Sequence, residues 1–403
     1  MTVLVVLGTR PEAIKLAPVI AELRRYPDVM TRVCVTGQHR EMVQPIFELF
    51  NIRPEVDLAL MTPDQRLSSL TSATLSRLDE VIESTGPDWV VLQGDTTSAM
   101  AAALAAFYRR VPIAHVEAGL RTHDLARPFP EEGNRRIADA LATVHFAPTE
   151  LARDNLLREG ADSSRVYVTG NTVVDALLTV GGLPEESSTG VLANLPLNRR
   201  IMLLTAHRRE SFGSALQEIC HAVREIVDAV PDLHCVYPVH LNPNVQEPAR
   251  AILAGHERIS LIPPLGYVSL VHLMRRSTLI LTDSGGLQEE APTFGKPVLV
   301  LRELTERPEA VHAGCARIVG TDREAIVSAA LELLTDRSAY DRMARIANPF
   351  GDGHASERIV RVLRNWQLAE GERAANSMAV PQMIEALRAG SAAAVSKQPG
   401  MDD

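Results

Sequence analysis

The sequence predicts an α/β protein with two Rossmann-like, doubly wound parallel-sheet domains facing each other across a cleft. Three observations predict it. Short apolar runs alternate with helical segments through residues 1 to about 172, and the same alternation restarts at Ile201. Between the two series lies Gly181 to Asn198, rich in Gly, Pro and Ser and without period, which reads as a linker. The polar residues with chemical potential fall where the apolar runs end, and parallel sheets gather their ligands at the carboxyl ends of strands.

The elements follow in order. Val3–Leu7 is a buried strand, and Pro11 suits the first turn of a helix reaching about Tyr26. Arg32–Thr36 is a second strand, Met61 to Leu70 a polar loop, and Leu70–Glu83 an amphipathic helix stopped by Gly86-Pro87. Trp89–Gln93 is a strand ending at Gly94-Asp95, followed by the Ala-rich helix Ser98–Arg109. Ile113–Val116 runs into Glu117; then come helix Glu131–Ala140, strand His145–Ala147, helix Thr149–Glu159 and strand Val166–Val168. In the second series Ile201–Thr205, His234–Tyr237, Ile259–Leu261, Leu279–Thr282 and Val298–Leu301 read as strands. Gly213–Val230, Val268–Arg276, Arg323–Thr335 and His354–Leu368 read as helices. This divides the chain into residues 1–175, residues 190–353 and a peripheral tail, 371–403, with a possible short helix at Pro381–Leu387.

Length and composition agree. A chain of 403 residues exceeds what one core ordinarily serves, and 46% hydrophobic content suffices for two. A net charge of −9 argues against a nucleic-acid binder that relies on bulk positive charge. The opening apolar run is too short for a membrane span and lacks a basic flank, so the expectation is a cytoplasmic protein without a membrane partner. Cys34, Cys220, Cys235 and Cys315 are scattered and read as small core residues, with no metal-ligand pattern. Basic residues are almost all Arg. The three lysines are Lys15, Lys296 and Lys397, which makes Lys15, just after the first strand, conspicuous.

The stretch Leu279 to Val300 organises the site. Ser284, Gly285 and Gly286 stand where a strand gives way to a helix, a turn at which backbone N–H groups converge and glycines admit a phosphate. Glu289 and Glu290 follow, placed for a ribose diol. In the first half Asp95, Glu117 and Glu131 are carboxylates at strand ends or loop openings, suited to proton transfer when burial raises their affinity for a proton. Taken singly, Asp95 also reads as a helix N-cap and Glu131 as a first-turn acid. His207-Arg208-Arg209-Glu210 places an imidazole and two guanidinium groups at one strand end, fit for a leaving phosphate. His240 ends another strand, and Arg302, Glu306 and Arg307 follow a third. The chain has no G-x-G-x-x-G and no G-x-x-x-x-G-K-[ST], so no dinucleotide or Walker fingerprint, and no cofactor is expected.

Ten ordered motifs carry a resemblance. They are Gly8-Thr-Arg-Pro-Glu-Ala-Ile-Lys15, Gly37-Gln-His-Arg40, Gly94-Asp-Thr-Thr97, His115-Val-Glu-Ala-Gly-Leu-Arg-Thr122, Pro130-Glu-Glu-Gly-Asn-Arg135, Thr169-Gly-Asn-Thr172, His207-Arg-Arg-Glu210, Pro238-Val-His-Leu-Asn-Pro243, Asp283 to Pro292, and Thr305-Glu-Arg-Pro-Glu309. Over residues 1 to about 366 the chain closely resembles the non-hydrolysing UDP-N-acetylglucosamine 2-epimerases. The resemblance implies a GT-B-like fold, a final helix packing back on the first domain, a homodimer, and interconversion of UDP-GlcNAc and UDP-ManNAc. It implies catalytic roles for Asp95, Glu117, Glu131 and His207. It implies UDP-binding roles for Arg10, Lys15, His240, Ser284, Gly285, Gly286, Glu290 and Arg307. Some members bind a second UDP-GlcNAc as an activator, and Gln38, Arg209 and His240 match part of that site. Departures are Gly37 where Ala is usual, Glu41 where some members have Gln, and Leu270 where an aromatic residue is common. A hydrolysing 2-epimerase, an epimerase of a related UDP-sugar, a glycosyltransferase and a non-catalytic UDP-sugar sensor are the competing readings.

Overall fold

The computed structural model describes residues 1–37, 40–61, 65–184, 191–196 and 198–366. The first sheet contains β1 (Thr2–Leu7), β2 (Met30–Val35), β3 (Val56–Asp57), β4 (Trp89–Gln93), β5 (Ile113–Val116), β6 (Val144–Ala147) and β7 (Val166–Val168). Its spatial order is β3-β2-β1-β4-β5-β6-β7, with every pairing parallel. The second contains β8 (Arg200–Thr205), β9 (Leu233–Pro238), β10 (Ile259–Ile262), β11 (Ser277–Thr282), β12 (Val298–Val300) and β13 (Ala316–Ile318). Its order is β10-β9-β8-β11-β12-β13, again all parallel. Each sheet therefore reverses its strand order beside its first strand, and the crevice so created is where doubly wound sheets receive ligands.

Helices cover both faces of each sheet, which is why strands such as Val3–Leu7 and Leu279–Thr282 are apolar without alternation. In helix Thr97–Tyr108, Ala99, Ala101, Ala102, Ala103, Ala105 and Ala106 are all buried. Their small side chains let this helix lie close between helices Leu67–Thr85 and Glu131–Leu141.

Several elements differ from the expectation. The polar loop expected at Met61 to Leu70 is shorter, because the following helix begins at Leu67; residues 62–64 lie outside the described residues. Helices at Arg40–Leu49, Thr172–Gly181, Pro243–Leu253, Pro308–Ala313 and Arg337–Ala344 were not anticipated, nor were the short strands β3 and β13. Part of the linker stretch, 185–190, and the tail from 367 onward, including Pro381–Leu387, lie outside the described residues. Among the described residues no helix is long and apolar enough to cross a membrane, and no group of His, Cys, Asp and Glu is arranged to hold a metal.

After the second sheet the chain returns to the first. Residues 355–366 are helical, and Ile359, Val360 and Leu363 are fully buried in the same core as Val3, Val5 and Val174. Trp366 meets Trp89 edge-on, ring centroids 6.0 Å apart, and the Arg364 guanidinium lies 4.0 Å from the centre of the Tyr26 ring. Asp175 holds the start of this helix. Its carboxylate accepts hydrogen bonds from the Ser356 N–H (2.8 Å), the Ser356 hydroxyl (2.6 Å) and the Ala355 N–H (3.2 Å).

Asp175→Ala should therefore leave those donors buried without an acceptor. It is expected to lower the free energy of unfolding by about 2–4 kcal/mol, read from urea denaturation at constant slope. An unchanged midpoint would show that the returning helix does not depend on this cap.

Candidate active site

The first wall of the cleft is built at the carboxyl ends of β1, β4, β5 and β7. After β1, the Glu12 carboxylate turns back to accept from the Gly8 N–H (2.8 Å), the Thr9 N–H (2.6 Å) and the Thr96 hydroxyl (2.6 Å). This ties the Arg10 turn to the Asp95 turn. Thr96, not Asp95, caps helix Thr97–Tyr108, accepting from the Ala99 N–H, so the Asp95 side chain is not used as a cap. Asp95 instead pairs with the Arg135 guanidinium, and its carbonyl accepts from the Asn134 amide at 2.9 Å. Glu131 does stand in the first turn of helix Glu131–Leu141. Its Oε2 is buried with no hydrogen-bond partner among the described residues.

Glu117 follows β5 with φ +64, a left-handed conformation that costs a side-chain-bearing residue free energy. The surroundings hold it there. Its carboxylate receives Lys15 Nζ at 2.5 Å, the Asn171 amide at 3.0 Å and the Gln93 amide.

The opposite wall comes from β8, β9 and β11. Fully buried Asp283 accepts from the backbone N–H groups of His207 (2.6 Å) and Arg208 (2.7 Å), folding the β8 end against the glycine turn. The His207 ring stacks on His240, centroids 5.4 Å apart and 11° from parallel. Burial holds the His207 imidazole below its ordinary value against the pull of Asp283, with His240 and Arg208 adding to the depression. Ser284 opens the turn, and Gly285 lies between two guanidinium groups. A Cβ there would be 3.8 Å from Arg208 Nη2 and 3.9 Å from Arg307 Cζ. Arg302, by contrast, is taken up by Glu210 at 2.5 Å and Glu306 at 3.6 Å. Arg209 and His240 are exposed at their strand ends; Gln38 lies outside the described residues.

The two walls touch through charge. Glu289 pairs with Arg307 on its own side and lies 3.5 Å from Lys15 Nζ across the cleft, while the Asn171 amide reaches it at 3.4 Å. Burial opposes the charge on Lys15, but Glu117 and Glu289 more than offset that and raise its affinity for a proton. Glu290 sits differently. Burial, reinforced by the neighbouring Glu289 charge, pushes its carboxyl from the ordinary 4.5 up to about 8, with Lys15 and Arg10 only partly opposing. At neutral pH it is a carboxylic acid and can donate a hydrogen bond.

The sequence reading thus brought together Lys15, Glu117, Asp95, Glu131, His207, Ser284, Gly285, Gly286, Glu290 and Arg307 as lining residues. It assigned no role to Gln93, Asn171, Asp283, Arg135 and Glu12, which orient them; it named Glu289 with Glu290 for a ribose, and Glu289 makes the cross-cleft pairs. Asn171 had one signal in the sequence, its place at a strand end within Thr169-Gly-Asn171.

A two-sheet cleft of this geometry has known counterparts. The family described as UDP-N-acetylglucosamine 2-epimerase matches residues 21–364. The UDP-N-acetylglucosamine 2-epimerase of Escherichia coli O157:H7 is 51% identical over 375 residues, 92% of this chain and 100% of that protein. The chain belongs to the UDP-N-acetylglucosamine 2-epimerase family. The family's Neisseria meningitidis member, solved bound to UDP-GlcNAc, superposes with a TM-score of 0.82 at 45% identity, covering 91% of this chain and 100% of that one. A glycotransferase of kitacinnamycin, 14% identical with a TM-score of 0.60, shares the fold alone. The epimerase fold is thus the GT-B-like one.

The neutral Glu290 has a thermodynamic consequence. Folded protein keeps this proton while the unfolded chain loses it near pH 4.5, so its contribution to stability is full below that pH and is lost as pH rises toward 8. Glu290→Gln, which cannot ionise, should gain about 3–5 kcal/mol on the parent between pH 5 and pH 8, measured by denaturant unfolding at both pH values. Parallel stability curves would place Glu290 in a solvated environment.

Proposed function

We propose that the protein is a non-hydrolysing epimerase that interconverts UDP-N-acetylglucosamine and UDP-N-acetylmannosamine at C2, as a homodimer in the cytoplasm. The observation that carries this reading is the facing of two kinds of group across one cleft. Asp95, Glu117 and Glu131 line one wall, and the Ser284-Gly285-Gly286 turn with Arg208 and Arg307 lines the other. One wall suits a sugar that must exchange a proton, the other a diphosphate that must leave and return.

The chemistry accounts for the pairing. C2–H of an N-acetylhexosamine is not beside a carbonyl, so direct deprotonation is difficult. Departure of UDP makes it feasible. A carboxylate takes the C2 proton, the C–H electrons form the C1–C2 double bond, and the C1–O bond breaks with its electrons leaving on UDP. The product, 2-acetamidoglucal, is planar at C2. Returning UDP to C1 while an acid delivers a proton to the other face inverts the centre. This needs a proton-transfer group on each face and cations on the departed diphosphate. Asp95 and Glu131 serve the C2 proton, the Glu131 Oε2 having no hydrogen-bond partner among the described residues. Glu117 lies against the sugar. Neutral His207 donates to the leaving diphosphate, Arg10, Lys15, His240 and Arg307 bind UDP, and Glu290 takes the ribose. Proton transfer of this kind is worth roughly 10²–10⁴-fold, and charge stabilisation of the leaving group is typically larger. Arg209 and His240, with Gln38, would form a second UDP-GlcNAc site that activates the first.

Incubating the protein with UDP-GlcNAc in D₂O and following it by proton NMR separates the readings. UDP-ManNAc carrying deuterium at C2 is the expected product. Free ManNAc with UDP would identify capture of the intermediate by water, the hydrolysing alternative. Asp95→Asn should lower turnover by about 10²–10⁴-fold. Normal turnover with normal deuterium incorporation in that variant would remove Asp95 from the proton path.

A further inference from the structure

His115 lies on β5, two residues before Glu117, and is fully buried. Its Nδ1 is 2.6 Å from Asp139 Oδ1 and its Nε2 is 2.8 Å from the carbonyl oxygen of Gly94, the residue before Asp95. A backbone carbonyl can only accept, so Nε2 must carry a proton. Asp139 is held as a carboxylate. Its Oδ2 accepts from the Gly119 N–H at 3.2 Å and pairs with the buried Arg121 guanidinium at 2.7 Å. Nδ1 must therefore carry a proton as well, and the ring is shut off from bulk solvent. We propose that His115 is a positioning residue: a doubly protonated imidazolium that fastens the Gly94–Asp95 turn to Asp139 and thereby sets where the Asp95 carboxylate stands.

The neighbours support a permanent charge. Arg121 is shared with Glu159 at 2.9 and 2.7 Å, so two cations, His115 and Arg121, face two anions, Asp139 and Glu159. His145, the register partner of His115 on β6, donates Nε2–H to the Asp139 carbonyl at 2.9 Å, and burial lowers its affinity for a proton. Burial pushes the Asp139 carboxyl up, but His115, Arg121 and His145 bring it down to about 2. Burial likewise works against the imidazolium, and Asp139 with the Gly94 carbonyl outweighs it. The tether matters because the turn it holds is otherwise exacting. Gly94 has φ +72, its N–H donates to the Val116 carbonyl at 3.0 Å, and a Cβ on it would lie 3.8 Å from Glu117 Oε2. One ring thus braces the turn that carries Asp95 against the strand that carries Glu117.

The inference rests on the proposed epimerase reading for its kinetic arm only. The first measurement is a two-bond ¹⁵N–¹H correlation spectrum of histidine-labelled protein, the chain's 12 histidines being sorted by the loss of one set of peaks in His115→Gln. His115 is expected to show both ring nitrogens protonated at neutral pH and above, and to become titratable near neutrality in Asp139→Asn. A single unprotonated ring nitrogen in the parent protein at pH 7 overturns the proposal whatever the variants do. In the second, His115→Gln, which offers one donor group and no charge, should lose kcat roughly a hundred-fold through misplacement of Asp95 while KM for UDP-GlcNAc stays close to the parent value. Unchanged kcat in folded His115→Gln overturns the positioning role. Absence of turnover in the parent protein would instead overturn the epimerase reading, and the spectrum would still decide the protonation of His115.

Discussion

Lys15 stands between two buried carboxylates that belong to different sheets, Glu117 at 2.5 Å and Glu289 at 3.5 Å. Remove its charge and two anions face each other in a poorly hydrated cleft, with Arg307 and the Asn171 and Gln93 amides left to compensate. Leaving one half of a buried pair uncompensated typically costs about 3–5 kcal/mol. The network therefore fixes the orientation of both walls. It holds Glu117 in its left-handed conformation, keeps Glu289 turned toward the partner sheet, and leaves Glu290 as the carboxyl in the cluster that is better off neutral. Charge balance decides which of two adjacent glutamates is an anion and which an acid.

Much of this architecture was legible in the sequence, for a physical reason. A parallel strand buried on both faces must be an apolar run, and it must stop where the chain meets the cleft, so runs such as Val3–Leu7 and Leu279–Thr282 mark both the sheet and the site. Elements whose identity depends on distant partners were not legible. Thr172–Gly181 has Val, Leu and Ala content that suits strand or helix alike, and its Asn171 cap is hidden in a strand-end motif. It is helical, packed between helix Arg10–Leu23 of the first unit and helix Tyr267–Arg276 of the second. β3 is two residues long and exists because β2 offers it an edge.

The same distinction holds in the site. Strand-end position picked out Asp95, Glu117, His207 and Ser284. What orients them comes from far along the chain: Arg135 for Asp95, Lys15 for Glu117, Asp283 for His207. Asp95 illustrates how a local reading and a tertiary one compete. Its sequence neighbourhood is that of an N-cap, yet Thr96 takes that role and frees the Asp95 carboxylate for the guanidinium of Arg135. Glu131 satisfies both readings at once, a first-turn acid whose buried oxygen finds no protein donor among the described residues.

The return of residues 355–366 to the first sheet bears on how the molecule is made. Trp89, Val3 and Val5 are covered by side chains that are synthesised more than 250 residues after Trp89. While the ribosome is still producing the second sheet, the first has its strands but lacks one of its covering helices. Its hydrophobic face stays open to solvent until residues 355–366 have been made. Completion of the first unit thus waits on a segment made after the whole second sheet, and both halves of the cleft become available together rather than in sequence.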